Sequence, residues 1–77
     1  MRKKRFVEPE DQAMASRIKA VRLERGMSQV VLAKLSGLTT GCVCQVERGL
    51  RVPNSQSIRK IGLTLEVSFD YLFLGRE

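Results

Sequence analysis

The chain has 77 residues, with 14 Lys and Arg against 8 Asp and Glu, a net charge of +6 and no histidine. That length holds one domain, close to the size at which a single core only just suffices and association with a second copy is a common remedy. The positive balance favours a polyanionic partner, nucleic acid above all. No apolar run approaches the ~20 residues of a membrane span, and "MRKKRF" is followed by "VEPEDQ" instead of the apolar core of a signal peptide. A cytoplasmic chain is expected, and that compartment keeps thiols reduced, so Cys42 and Cys44 are not read as a structural disulfide.

In chain order, residues 1–12 read as a basic arm, tipped by Arg2 to Arg5, and the lead-in to a first helix; residues 13–77 read as the folded domain. Pro9 suits the first helical position, Glu10 and Asp11 complement the helix dipole, and Met14, Ile18 and Val21 recur at helical spacing until Gly26. Ser28 caps a second helix with Leu32 and Ala33 inward, ended by Gly37. Thr39 caps a third with Val43 and Val46 inward, ended by Gly49. Pro53 breaks the chain and Asn54 caps a fourth helix whose stripe is Ile58, Ile61 and Leu65. Ser68 caps a short last helix dense in Phe69, Tyr71, Leu72, Phe73 and Leu74. With no strand-like alternation and no repeat, the expected fold is all-α, a compact five-helix bundle. The apolar stripes are core by default; they account for folding and leave function open.

The middle section says more. Ala33, Gly37, Val43 and Val46 stand where two steeply crossing helices need a small contact residue, a turn residue free to take positive φ, and two branched anchors, which is a helix-turn-helix. At about 100° per residue, Thr40, Gly41, Cys44, Gln45 and Arg48 share one arc of the third helix, opposite Val43 and Val46. One face packs and the other is offered.

From "RIKAVRLERG" to "SFDYLF", with "SQ", "LA", "SGLT" and "QVERG" in order and at matching spacing, the chain resembles the helix-turn-helix regulators related to phage repressors and Cro proteins. Within them it is most similar to single-domain members such as restriction-modification controller proteins. The resemblance implies a lambda-repressor-like bundle that dimerises and sets its third helix in the major groove. It places Thr40, Gly41 and Gln45 at the principal base-reading positions, with Cys44 on the same face. Gln29, Thr39, Arg48 and Arg51 fall at phosphate-contacting positions, Gln29 also bracing the recognition helix, and Ser28, at the start of the second helix, is assigned to phosphate with them. Arg22 and Glu47 match a partly buried ion pair between the first and third helices. Gly41 stands where a side chain commonly reads bases, Val30 and Val31 replace acidic residues, and Glu66 replaces a usual glycine.

Side-chain chemistry agrees with these roles. A Gln45 amide can bond adenine N6 and N7 together, Thr40 can meet a base edge or a thymine methyl, and Gly41 lets the helix come close. Arg48, Arg51, Arg59 and Lys60, with the amides at the starts of the second and fourth helices, suit phosphates. On a helix, positions two apart point about 200° away from each other, so Cys42 and Cys44 neither bridge nor share a metal. Cys42 is read as packing and Cys44 as a small DNA-facing residue, with redox sensing as its lesser alternative. No nucleophile has an evident base, so no enzyme, cofactor or metal is expected. The arm is read either as a further DNA contact or as a solubilising tail.

Five large apolar residues within six positions surround the last helix, more than one small core can cover. Leu72 is assigned to the core and Phe69 and Phe73, one turn apart, to a homodimer interface with Leu63 beside them. The resulting expectation is a transcriptional regulator bound as a homodimer to a two-fold related operator. An antitoxin of a toxin-antitoxin pair and a protein adaptor without specific DNA binding are the alternatives, and RNA polymerase and a toxin are the further partners left open.

Overall fold

A computed structural model describes the backbone of residues 9–75 and, within that span, every side chain except those of residues 9–11 and 73. The tip of the expected basic arm, residues 1–8, lies outside the described residues, as do the side chains of Glu10 and Asp11 to which dipole roles are assigned. Among the described residues five helices follow one another: α1 Pro9–Glu24, α2 Gln29–Ser36, α3 Thr40–Glu47, α4 Ser55–Leu65 and α5 Phe69–Leu74. The fold is all-α, as the sequence implies, and the expected boundary after residue 12 falls inside α1.

Four helices start on a side-chain acceptor three residues upstream of the amide it satisfies. Ser28 Oγ accepts from the Val31 amide, Thr39 Oγ1 from Cys42, Asn54 Oδ1 from Ser57 and Ser68 Oγ from Tyr71, at 2.8–3.1 Å. Each such cap stabilises its helix by about 1 kcal/mol. The first four helices end alike. Just beyond each, an amide donates to the carbonyl five residues back, Met27 to Arg22, Leu38 to Ala33, Leu50 to Gln45 and Val67 to Gly62, around a left-handed residue. Three of those residues are glycine; the fourth is Glu66 at φ 61°, the one non-glycine at positive φ among the described residues.

Met14, Ile18 and Val21 of α1, Leu32 and Ala33 of α2, Val43 and Val46 of α3, Ile58, Ile61 and Leu65 of α4 and Leu72 of α5 close into one core. α2 packs on α3 and α4, while α1 packs on α3 and α5. Buried Ser36 returns its hydroxyl to the Leu32 carbonyl at 2.6 Å, so no donor is stranded there. At Gly62 an added Cβ would lie 3.3 Å from the Val67 carbonyl oxygen, so glycine lets the α4–α5 turn fold close over α4. Two arginines bind the ends of the bundle: Arg25 Nε donates to the Leu65 carbonyl at 2.9 Å and Arg17 Nε to the Leu72 carbonyl at 3.1 Å. Both acceptors are C-terminal carbonyls without an intrahelical partner, which a cation satisfies well.

Candidate nucleic-acid interface

α3 lies across the bundle with Val43 and Val46 driven into the core and Thr40, Gly41, Gln45 and Arg48 exposed on the other side. Cys42 is half-buried against the core and Cys44 is also half-buried, at the margin of the exposed arc; both thiols are free. An added Cβ at Gly41 would meet nothing within 4 Å, and its φ is not left-handed. The fold therefore does not require glycine there.

The attitude of α3 is set by a buried cluster at its C-terminal end. Arg22 on α1 donates through Nε to Glu47 Oε2 at 2.7 Å and through Nη2 to Glu47 Oε1 at 3.0 Å, a two-pronged contact between side chains exposed by only 8% and 1%. Arg22 Nη1 reaches the Met27 carbonyl at 2.8 Å, and Gln29 at the start of α2 donates to Glu47 Oε1 at 3.1 Å. One carboxylate thus joins α1, α2 and α3. A two-pronged guanidinium–carboxylate contact fixes orientation as well as distance, so α3 is held by rigid elements instead of by its short flanking turn.

Ser28 and Thr39 are exposed and act as helix caps. Their oxygens accept the cap bonds, which leaves each hydroxyl proton available to a phosphate oxygen. Arg48 and Arg51 are exposed beside α3, and Arg59 and Lys60 are exposed on α4. Arg51 donates through Nη1 to Gln45 Oε1 at 3.4 Å, a contact that residue-by-residue reading of the sequence does not reveal. The same holds for the carbonyl contacts of Arg17 and Arg25, whose partners lie 55 and 40 residues away.

The residues assigned to a dimer interface do not all share one helix. Phe69 is half-exposed on α5, and Leu74, on the same helix, is more exposed. The Phe73 side chain lies outside the described residues. Leu63, 72% exposed, lines a shallow groove between α2 and α4 with Leu35, flanked by Lys34 and Lys60. Among the described residues no helix is long and apolar enough to cross a membrane, and no group of three His, Cys, Asp or Glu side chains could hold a metal.

Comparison with known proteins places this geometry. No curated protein sequence matches the chain. Among solved structures, the P22 c2 repressor in complex with synthetic operator 9T in the presence of Tl+ is 32% identical, with a TM-score of 0.78 over 82% of this chain and 96% of that one. The wild-type restriction-modification controller protein C.Esp1396I is 33% identical, with a TM-score of 0.78 over 86% of each chain. The helix-turn-helix family model matches residues 18–72, from the middle of α1 to the core leucine of α5. By family match and by likeness to both a phage repressor and a controller protein, the chain belongs to the helix-turn-helix family.

Proposed function

We propose that this chain is a sequence-specific DNA-binding transcriptional regulator that binds a two-fold related operator as a homodimer, with α3 in the major groove. The observation that carries this reading is the exposed arc of α3. Thr40, Gly41 and Gln45 face solvent together on a helix anchored from behind by Val43, Val46 and Glu47, in a chain of net charge +6. Base-edge chemistry needs such an arc on a rigid element, with cations around it for the phosphates. Thr40, Gly41, Cys44 and Gln45 are assigned to the bases. Ser28, Gln29, Thr39 and Arg48 are placed along the phosphate backbone.

Gly41 supports the same reading by elimination. A glycine in a helix interior costs roughly 0.5–1 kcal/mol relative to alanine, and less in the first turn, where Gly41 stands, and here neither backbone angle nor neighbouring atoms demand it. Close approach of the helix to a groove would use the space it leaves. The dimer is assigned to α5, through Phe69 and Phe73 with Leu63 at its edge, because Phe69 and Leu74 leave half or more of their surface exposed on the last helix of so small a domain. A two-fold axis there sets the two α3 helices about 34 Å apart and the half-sites ~10 base pairs apart or a multiple of that.

Selection of binding sites from random duplex DNA with the purified chain tests this reading. The expected result is a palindromic motif bound steeply in protein concentration, with affinity falling as salt rises. Equal affinity for all sequences would instead return the protein-adaptor reading.

A further inference from the structure

Two exposed side chains on the DNA-facing surface already hold each other in the free protein. Beyond α3, Gly49 at φ 74° reverses the chain, with the Gly49 amide donating to the Val46 carbonyl and the Leu50 amide to the Gln45 carbonyl. That reversal carries the chain back along α3. It brings Arg51, six residues on, beside Gln45, where its Nη1 donates to Gln45 Oε1 at 3.4 Å. The orientation of the amide follows from chemistry: its nitrogen and the guanidinium are both donor-only, so only the oxygen can face the arginine.

The consequence is for base choice. A glutamine acting alone reads adenine because its oxygen accepts from N6 while its nitrogen donates to N7. With one lone pair of Oε1 taken by Arg51, the pair presents the Gln45 amide N–H and the remaining guanidinium N–H groups, donors that outnumber the one lone pair left on Oε1. The adenine N6 amino group would approach that lone pair beside a cation that repels it. The base edge that fits is the one with two acceptors, guanine N7 and O6. At 3.4 Å and in water the contact adds little stability, but its electrostatic part strengthens once an interface excludes water. We infer that Arg51 and Gln45 together read a guanine, which makes Arg51 a specificity-determining residue and not a phosphate clamp. The inference rests on the regulator reading above and sharpens it at one position of the half-site.

The test compares the full chain with Arg51→Ala and Gln45→Ala, each checked for helicity by circular dichroism; all three are put through selection from random duplexes. Affinities are then measured at several salt concentrations on the selected site with each of the four base pairs at the position that Gln45→Ala alters. The wild type is expected to prefer guanine there by roughly 5- to 150-fold, the range of one good two-pronged contact. Arg51→Ala should move that preference to adenine, as the cation beside N6 is gone and both lone pairs of the amide oxygen are available. Selection of any other base by the wild type overturns the inference. So does an Arg51→Ala protein that keeps the wild-type preference and loses affinity equally on all sequences, with a salt slope smaller by about one. If no motif is selected at all, the regulator reading has failed, which is distinguishable from a motif with the wrong base.

Discussion

Replacing Glu47 with alanine removes the acceptor of three N–H groups at once: Arg22 Nε, Arg22 Nη2 and Gln29 Nε2. Gln29 is half-buried near the surface and can turn to water. Arg22 cannot, because its side chain is 8% exposed and its remaining bond, from Nη1 to the Met27 carbonyl, keeps it in place. Breaking a buried pair from one side costs about 3–5 kcal/mol, since the surviving charge keeps its desolvation penalty and loses its compensation. A domain of this length has a total stability of roughly 4–12 kcal/mol. The variant should therefore melt about 20–30 °C lower than wild type, taking the usual unfolding entropy per residue, or be unfolded at room temperature. Thermal and urea unfolding followed by circular dichroism measure it. The paired change Arg22→Met with Glu47→Leu should recover most of the loss, because apolar groups of similar volume often replace a buried ion pair at no cost. A melting temperature for Glu47→Ala within 2 °C of wild type would refute the reasoning.

Gly41→Ala should raise stability slightly, by up to about 0.5 kcal/mol, because the site is open and lies in the first turn of α3, while weakening operator binding; unchanged affinity in fluorescence anisotropy would show that α3 does not need the space. Glu66→Gly should stabilise the fold by about 1 kcal/mol by relieving a left-handed residue at φ 61°, and a lower melting temperature would mean that the Glu66 side chain contributes more than its backbone costs. Phe69→Glu and Phe73→Glu should each give a helical monomer whose operator binding is weaker and no longer steep in concentration. Analytical ultracentrifugation checks this, and dimers of both variants would place the interface away from α5.

Where four of the helices begin and three of them end was legible from the residues, because those decisions are local. Ser28, Thr39, Asn54 and Ser68 each satisfy an amide three residues on, and Gly26, Gly37 and Gly49 each supply a backbone angle that side chains resist. Neither depends on distant parts of the chain. The inward set, from Ile18 to Leu72, follows from helical period plus the requirement that a small domain bury what it has. The exposed arc of α3 follows from the same period, as the complement of Val43 and Val46. Contacts between elements were another matter. That Arg25 seals α4 and Arg17 seals α5 depends on how α1 lies against the end of the bundle, and an arginine at either position looks the same in sequence whether it meets a carbonyl or water. That Leu63 shares a groove with Leu35 depends on the crossing of α2 and α4. The pairing of Arg51 with Gln45 depends on the direction in which the chain leaves Gly49. Spacing along the chain orders side chains around one helix axis, whereas the choice of partner across two elements is made by the packing that sets their relative position.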